Sequence, residues 1–404
     1  MKKITMGLGL TLAMAMPAAQ AINQEIRALF QPDPAQPGKN LFVNKTPNSG
    51  YCLNFPDKCI SDSMFSIELP VRTDSIRAIL AGDDVSLKTP ADWRRLTVIN
   101  QDTQESEIVE VRITGIGSRF VLSDKVQDLT GVDAPTGHDV LWRSGSGWLY
   151  APSPCEGSGV ASYSPETYRF FWKTPVEAFC TKTAAFRIPS MYYETLDFSY
   201  ELKTPNPLGM SSGLYSGSIS YTMGPGGDFD MGSMFQPDDS NLTLDFVLDV
   251  QHTLKVDLPP GGNNVTLEPE GGWARWLDSG RKPTRIFRDQ SFYLSASSRF
   301  KVMLLCNSMG GNTCRLGNQE GGSTEVEVSM SLPAGITHAG GNAVNRLPLR
   351  FNEWIGPFQP GLYVDRKPGA LHFDMTPFAI DFLLKPGYAG RLRGNVTVIW
   401  DSDV

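Results

Sequence analysis

Along most of this chain apolar residues alternate with polar ones over short stretches. That is the period of a strand with one buried face, not of a helix. Met64-Phe65-Ser66-Ile67-Glu68-Leu69, Leu96-Thr97-Val98-Ile99 and Glu107-Ile108-Val109-Glu110-Val111-Arg112-Ile113 carry the pattern. Arg119-Phe120-Val121-Leu122 and Tyr168-Arg169-Phe170-Phe171-Trp172 look similar, residues 196–202 alternate, and residues 216–223 read as a further strand. In the longest run Leu242, Leu244, Phe246, Leu248, Val250, Leu254, Val256 and Leu258 all fall on even positions, with His252 on the same face. So long an alternation predicts a strand, bent or switching sheets, with one continuous apolar face. Residues 292–296, 300–305 and 324–331 add more strands. At the end of the chain Val396, Val398 and Trp400 alternate with Asn395 and Thr397. Domain termini usually fray in polar residues, so a Trp needing burial four residues from Val404 makes this last strand integral to a sheet. If that sheet is one strand short, a partner must supply the missing edge. The plain alternative is the last strand of an ordinary, complete sandwich.

Composition agrees with an all-β chain: 39 Gly and 29 Pro punctuate the short runs, and convincing amphipathic helices are scarce. Residues 22–47, polar and Pro-containing, read as an irregular lead-in. The strongest linker-like composition is Gly224-Pro225-Gly226-Gly227-Asp228-Phe229-Asp230-Met231-Gly232, followed by Gln236-Pro237-Asp238-Asp239-Ser240-Asn241. It predicts two domains, residues 22–236 and 237–404, with an alternative boundary near 205 at Pro205-Asn206-Pro207. The second, about 165 residues in six or seven strands, suits an immunoglobulin-like sandwich.

Met1-Lys2-Lys3, an apolar run from Ile4 to Met16 and Ala19-Gln20-Ala21 have the layout of a secretory leader, residues 1–21. Its apolar run is shorter than a membrane span, and no later stretch reaches the ~20 apolar residues a membrane helix needs. Loss of Lys2 and Lys3 takes the formal charge from −7 to −9, because the leader holds no Asp or Glu. A mildly acidic chain without a basic block argues against nucleic acid or anionic lipid as partners. The six cysteines lie in three close pairs, Cys52 with Cys59, Cys155 with Cys180 and Cys306 with Cys314. Export and an even count suggest disulfides. Sequence leaves their connectivity open, nearest-neighbour pairing being the simplest. Such short loops would each add ~2–3 kcal/mol in the chain-entropy model. Cys-x-x-Cys and His partners at ligand spacing are both absent, so a zinc site is not expected.

Leader, N-terminal β domain and C-terminal Ig-like domain ending on a strand together resemble the two-domain tip adhesins of chaperone–usher fimbriae. Leu214-Tyr215-Ser216-Gly217-Ser218-Ile219-Ser220-Tyr221, Gly361-Leu362-Tyr363-Val364-Asp365-Arg366-Lys367-Pro368-Gly369 and the ending from Gly394 to Val404 look like fimbrial sequence. The likeness covers about residues 210–404 and is thin over 22–190. It implies a pilin domain lacking its seventh strand, completed first by a periplasmic chaperone and then by the adjacent pilin subunit through strand addition, with an outer-membrane usher as assembly partner. The groove walls it implies are Leu242, Leu244, Phe246, Leu248 and Val250 on one side and Val396, Val398 and Trp400 on the other. The carboxylate of Val404 would anchor to chaperone cations. Residues 224–241 carry no alternating donor segment, so such a chain accepts a strand without donating one. That implies export through the periplasm to the fimbrial tip on the cell surface. The alternative is that these apolar positions are the ordinary core of a complete fold.

Binding of a host or environmental receptor, a glycan by expectation, would fall to the N-terminal domain. Its best candidate segment is residues 137–150: Trp148 or Tyr150 could stack on a sugar ring and Asp139 or Arg143 could bond its hydroxyls, with His138 and Trp142 alongside. The competing reading makes Trp142 and Trp148 core residues of a hairpin turned by Ser144-Gly145-Ser146-Gly147. Trp93-Arg94-Arg95 is a weaker second candidate. Only His138 of the four histidines lies in this domain, which excludes a three-His zinc site there, and no EF-hand spacing exists. No cofactor or metal is expected. Nothing in the sequence supports a nucleophile–base arrangement, so no enzyme is expected. The expectation is a tip adhesin. A structural tip or adaptor pilin without receptor binding is the alternative, and a secreted all-β hydrolase the third.

Overall fold

The period-2 runs do form strands, arranged as two separate sets of sheets. The computed structural model describes residues 22–307, 311–338, 340–388 and 390–402; the leader and Val404 lie outside them. The first set is built around the strand Ser106–Leu122, whose partners change along its length. Arg94–Asn100 pairs with its start, Leu196–Lys203 with its middle from Glu110 to Gly117, and Thr167–Lys173 and Met191–Tyr193 with its later part. Gly115 and Gly117 permit this crowding. A Cβ on either would stand 2.4–2.5 Å from the ring of Phe171, which lies across the strand.

From Arg94–Asn100 the sheet continues through Gly213–Thr222, Asn241–Val250 and Ile22–Phe30. The expected lead-in is therefore partly a strand. Ile22–Phe30 runs parallel to Asn241–Val250, from Ile22 opposite Leu242 to Phe30 opposite Val250. Ile26, Ala28 and Phe30 are buried there; Gln24 on the same face hides their period in the sequence.

Two expectations are corrected by this pairing. Residues 224–241 are not a linker: Asp230 bridges Lys88, Phe235–Pro237 pairs with Thr73–Ser75, and Phe229, Met231, Met234 and Phe235 are buried in the first core. Leu242, Leu244, Phe246, Leu248 and Val250 also belong to that core, not to a second-domain groove. The even-numbered run switches sheets: it leaves the first set at Val250 and enters the second at Leu254. The change of sheet thus lies at residues 251–253, beyond both expected boundaries. His252 sits at the joint. Its Nε2–H donates to the Met210 carbonyl at 2.8 Å, and Ser297 Oγ lies 3.0 Å from its Nδ1.

The second set is a sandwich. One sheet runs Leu254–Asp257, Ile286–Ala296, Val364–Met375, Ser323–Ser331, Thr313–Gly317; the other runs Ile336–Thr337, Trp354–Pro360, Phe300–Cys306, Val396–Ser402. Between them Phe292, Leu294, Phe300, Val302, Leu304, Val328 and Met330 form a buried core. Disulfides join Cys52–Cys59, Cys155–Cys180 and Cys306–Cys314. No described helix is long and apolar enough to cross a membrane.

Candidate functional site: an open edge in the second sandwich

Val396–Ser402 pairs with Phe300–Cys306 along its whole length, from Val396 opposite Cys306 to Ser402 opposite Phe300. Among the described residues nothing pairs with its other side. Every second residue of such an edge strand turns its N–H and C=O to the open side. Leu254–Asp257 is likewise an edge, of the facing sheet, paired only with Ile286–Ala296. Between the two edges runs a groove of about 1700 Å³.

Its floor is the sandwich core seen from the side. Trp400 packs edge-on against Phe292 at 5.1 Å and tilted against Phe300 at 5.8 Å. Val396, Val398 and Trp400 are only partly buried, as are Leu254, Val256, Val265 and Leu267 across the gap. A sandwich closed at this seam would bury them. Of the expected groove residues, then, the structure brings Val396, Val398 and Trp400 to the site and places Leu242, Leu244, Phe246, Leu248 and Val250 elsewhere. Val256 and Leu267 stand in their place; the first lies in the same even-numbered run, so its type was legible but its sheet was not. The Gly272–Ser279 helix adds Trp273 and Trp276 to one end of the groove and buries no residue of its own. The i,i+3 spacing of those two tryptophans is the sequence signal for it.

Most of the segment expected to bind a receptor is interior. Trp142 and Trp148 are 1% and 0% exposed. Trp148 stacks on Trp172 at 4.6 Å and meets Phe170 edge-on at 4.4 Å, while Trp172 Nε1–H donates to the Trp148 carbonyl at 2.6 Å. His138 is buried beside Phe120 and Tyr168, with Nε2 2.8 Å from the Ser164 carbonyl, and burial lowers its pKa. Asp139 Oδ1 accepts from Gly147 N–H at 2.6 Å, which closes the Ser-Gly-Ser-Gly turn. Hydrophobic burial outweighs display for His138, Trp142 and Trp148, and these three are not surface ligands. Arg143 and Tyr150 are exposed.

A residue outside the expected set organises the turn. Lys182 is buried and donates from Nζ to the carbonyls of Ser146 and Gly147 at 3.0 and 3.1 Å. Burial pushes its ammonium down to about 8, with Asp139 opposing. Nothing in the local sequence marks it, because its partners lie some 35 positions earlier. Trp93 is half-buried, covered by Lys203 Nζ at 3.9 Å and Arg112 at 4.7 Å from its ring. No cluster of three or more His, Cys, Asp or Glu suited to a metal occurs among the described residues.

Comparison with known proteins adds little. No family model and no curated protein matches the sequence. Among solved structures, CfaE, the adhesive subunit of the CFA/I fimbria of enterotoxigenic Escherichia coli, is 11% identical, with a TM-score of 0.27 over 95% of this chain and 94% of its own. A chaperone–tip adhesin complex of CFA/I fimbriae biogenesis aligns at 11% identity and TM-score 0.24, covering 95% of this chain and 97% of that one. The CsuC–CsuE chaperone–tip adhesion subunit pre-assembly complex from archaic chaperone-usher Csu pili of Acinetobacter baumannii is 8% identical, TM-score 0.22, over 94% and 98% of the two chains. Likenesses this low describe those proteins and decide nothing about this one.

Proposed function

We propose that this chain is a non-enzymatic tip adhesin of the chaperone–usher kind. Its second sandwich accepts a strand from another chain, and its first β unit meets a receptor. The observation that carries the proposal is the edge strand Val396–Ser402 beside an open groove floored by Val396, Val398 and Trp400. An inserted strand would pair with the free edge and place alternate side chains over Val396, Val398 and Trp400. A periplasmic chaperone would fill the groove first and an adjacent pilin later, with the usher handling export to the cell surface. The tip position is supported by Ile22–Phe30, which is committed to its own sheet and so leaves no free donor strand among the described residues before the second sandwich.

For the receptor, a glycan, the exposed members of the candidate segment are Arg143 and Tyr150. The structural alternative, a tip pilin that binds nothing, is favoured by one fact: the other candidates in that segment serve the core or its turn. The strand-completed chain, assayed on host cells and a glycan panel, separates the two. Binding that Y150A and R143A weaken supports the adhesin. Absence of binding to any surface leaves the structural pilin.

A further inference from the structure

The groove is not uniformly apolar, and its charged lining has one sign. Lys385, Arg391 and Arg393 line it, and no Asp or Glu does. All three are exposed, and among the described residues none has an ion-pair partner. Neighbouring cations are neutralised: Lys282 by Asp381 and Arg285 by Asp374.

The three cations share one end. Arg393 bridges Gly317 and lies three residues before the edge strand begins at Val396. A Cβ on Gly390 would stand 3.1 Å from Asn318, in the turn after Gly317, which places the chain between Lys385 and Arg391 at the same corner. The opposite end is aromatic, where Trp400 meets Phe292 and Phe300. Beyond the Val396 end the groove runs into a second cavity of about 620 Å³, which shares Arg393, Gly394, Asn395 and Thr397 with it. That cavity adds Arg315, Asn307 and Asn318, and again no carboxylate lines it. Two arginines, Arg315 and Arg393, and the amides of Asn307 and Asn318 in one lining make a setting for carboxylate groups.

We infer that the partner strand carries acidic residues directly beyond its apolar alternation, at the end lying beside Val396, held by Lys385, Arg391, Arg393 and Arg315. This inference rests on the strand-acceptor reading and adds what that reading leaves open: which strand is preferred, and in which direction it lies. An acidic end at the C-terminus of the donor means a strand antiparallel to Val396–Ser402; at the N-terminus, a parallel one. The cations would also favour encounter at this end, so that pairing begins there and proceeds toward Trp400.

The test uses synthetic peptides with four alternating apolar residues, ending in Asp-Asp or Asn-Asn at either terminus. Their affinity is measured by fluorescence anisotropy for the full chain and for its K385Q/R391Q/R393Q variant, whose changes are all on exposed side chains. At low salt, the Asp-Asp peptide of one polarity binds the wild type about three- to tenfold more tightly than its Asn-Asn counterpart. The advantage disappears in high salt and in the variant, while the Asn-Asn peptide binds both proteins alike. Equal affinity of Asp-Asp and Asn-Asn peptides overturns the inference and leaves the groove reading standing. So does an Asp-Asp advantage of the same size at both termini, which would be unspecific attraction. If none of the peptides binds, the strand-acceptor reading itself fails, and the inference with it.

Discussion

Supplying the missing strand in cis should stabilise the second sandwich by an amount that can be worked from its edge. The perturbation is a flexible linker after Val404 followed by about eight residues that alternate apolar and polar. Four apolar side chains entering the groove contribute ~6–12 kcal/mol at ~1.5–3 kcal/mol each. Pairing with the open side of Val396–Ser402 adds about six hydrogen bonds, ~3–9 kcal/mol net. Ordering eight residues costs ~8–16 kcal/mol. The mid-values leave ~3 kcal/mol. For a sandwich of about 150 residues that corresponds to a rise in Tm of ~6–12 °C. Scanning calorimetry on the tethered and untethered chains, with circular dichroism to assign the transitions, reads it directly. The control carries the same residues with the alternation shifted by one position, which turns the apolar set to solvent. A shift below about 2 °C, or an equal shift from the control, would refute the reasoning, since the edge would then already be satisfied.

Three further outcomes are expected. Gly117→Ala puts a Cβ 2.5 Å from the Phe171 ring and 2.6 Å from the Phe170 carbonyl, so chemical denaturation should show the first unit destabilised by ~1–3 kcal/mol, with the transition of the second sandwich unmoved. Asp197 is fully buried against Arg169 at 2.8 Å, and burial, opposed by Arg169, pushes its carboxyl up to about 6 from 3.8. Because the folded state holds the proton more tightly, the stabilisation is complete below pH ~4 and is lost as pH rises to about 6. The stability of the wild type relative to D197N should therefore fall by ~3 kcal/mol across that window, and a flat difference in urea midpoints would show that burial does not dominate there. His252 has its pKa lowered by burial. Protonation leaves Nε2–H donating to Met210 but removes Nδ1 as an acceptor for Ser297, so the Ser297 contact at the joint is present above pH ~6.5 and lost as pH falls through the lowered value. Limited proteolysis at residues 251–253 should accelerate on acidification, and H252A should remove the pH dependence.

The strands were legible because alternation over Leu96-Thr97-Val98-Ile99 or residues 107–113 reports a half-buried face whatever the strand pairs with. Partner choice was not. The even-numbered run from Leu242 to Leu258 reads as one apolar face, yet its first half packs in the first core and its second half lines the groove, because the chain turns at His252. Residues 224–241 have linker composition, and Gly224 does take a positive φ of 113°. Phe229, Met231, Met234 and Phe235 are what tie that stretch into the core, and four apolar residues among so many turn formers carry no period. Trp142 and Trp148 have the chemistry of sugar platforms and of core residues alike; only the surrounding Phe120, Phe170 and Trp172, contributed by other strands, decide between them. The terminal strand was the most informative feature. Val396, Val398 and Trp400 pointed to a buried face, and what lay beyond the sequence was that the face is half covered. The basic corner at Lys385, Arg391 and Arg393 draws on residues scattered through loops, and only the fold gathers them.

Backbone amide hydrogen exchange across Val396–Ser402, with and without a bound donor strand, tests the central claim most directly. On strand binding, alternate amides of this segment should slow at least about tenfold, while those already bonded to Phe300–Cys306 stay slow throughout. If every amide in the segment is already protected in the unbound chain, or none changes on addition of the strand, the edge is not an acceptor and the adhesin assignment built on it fails.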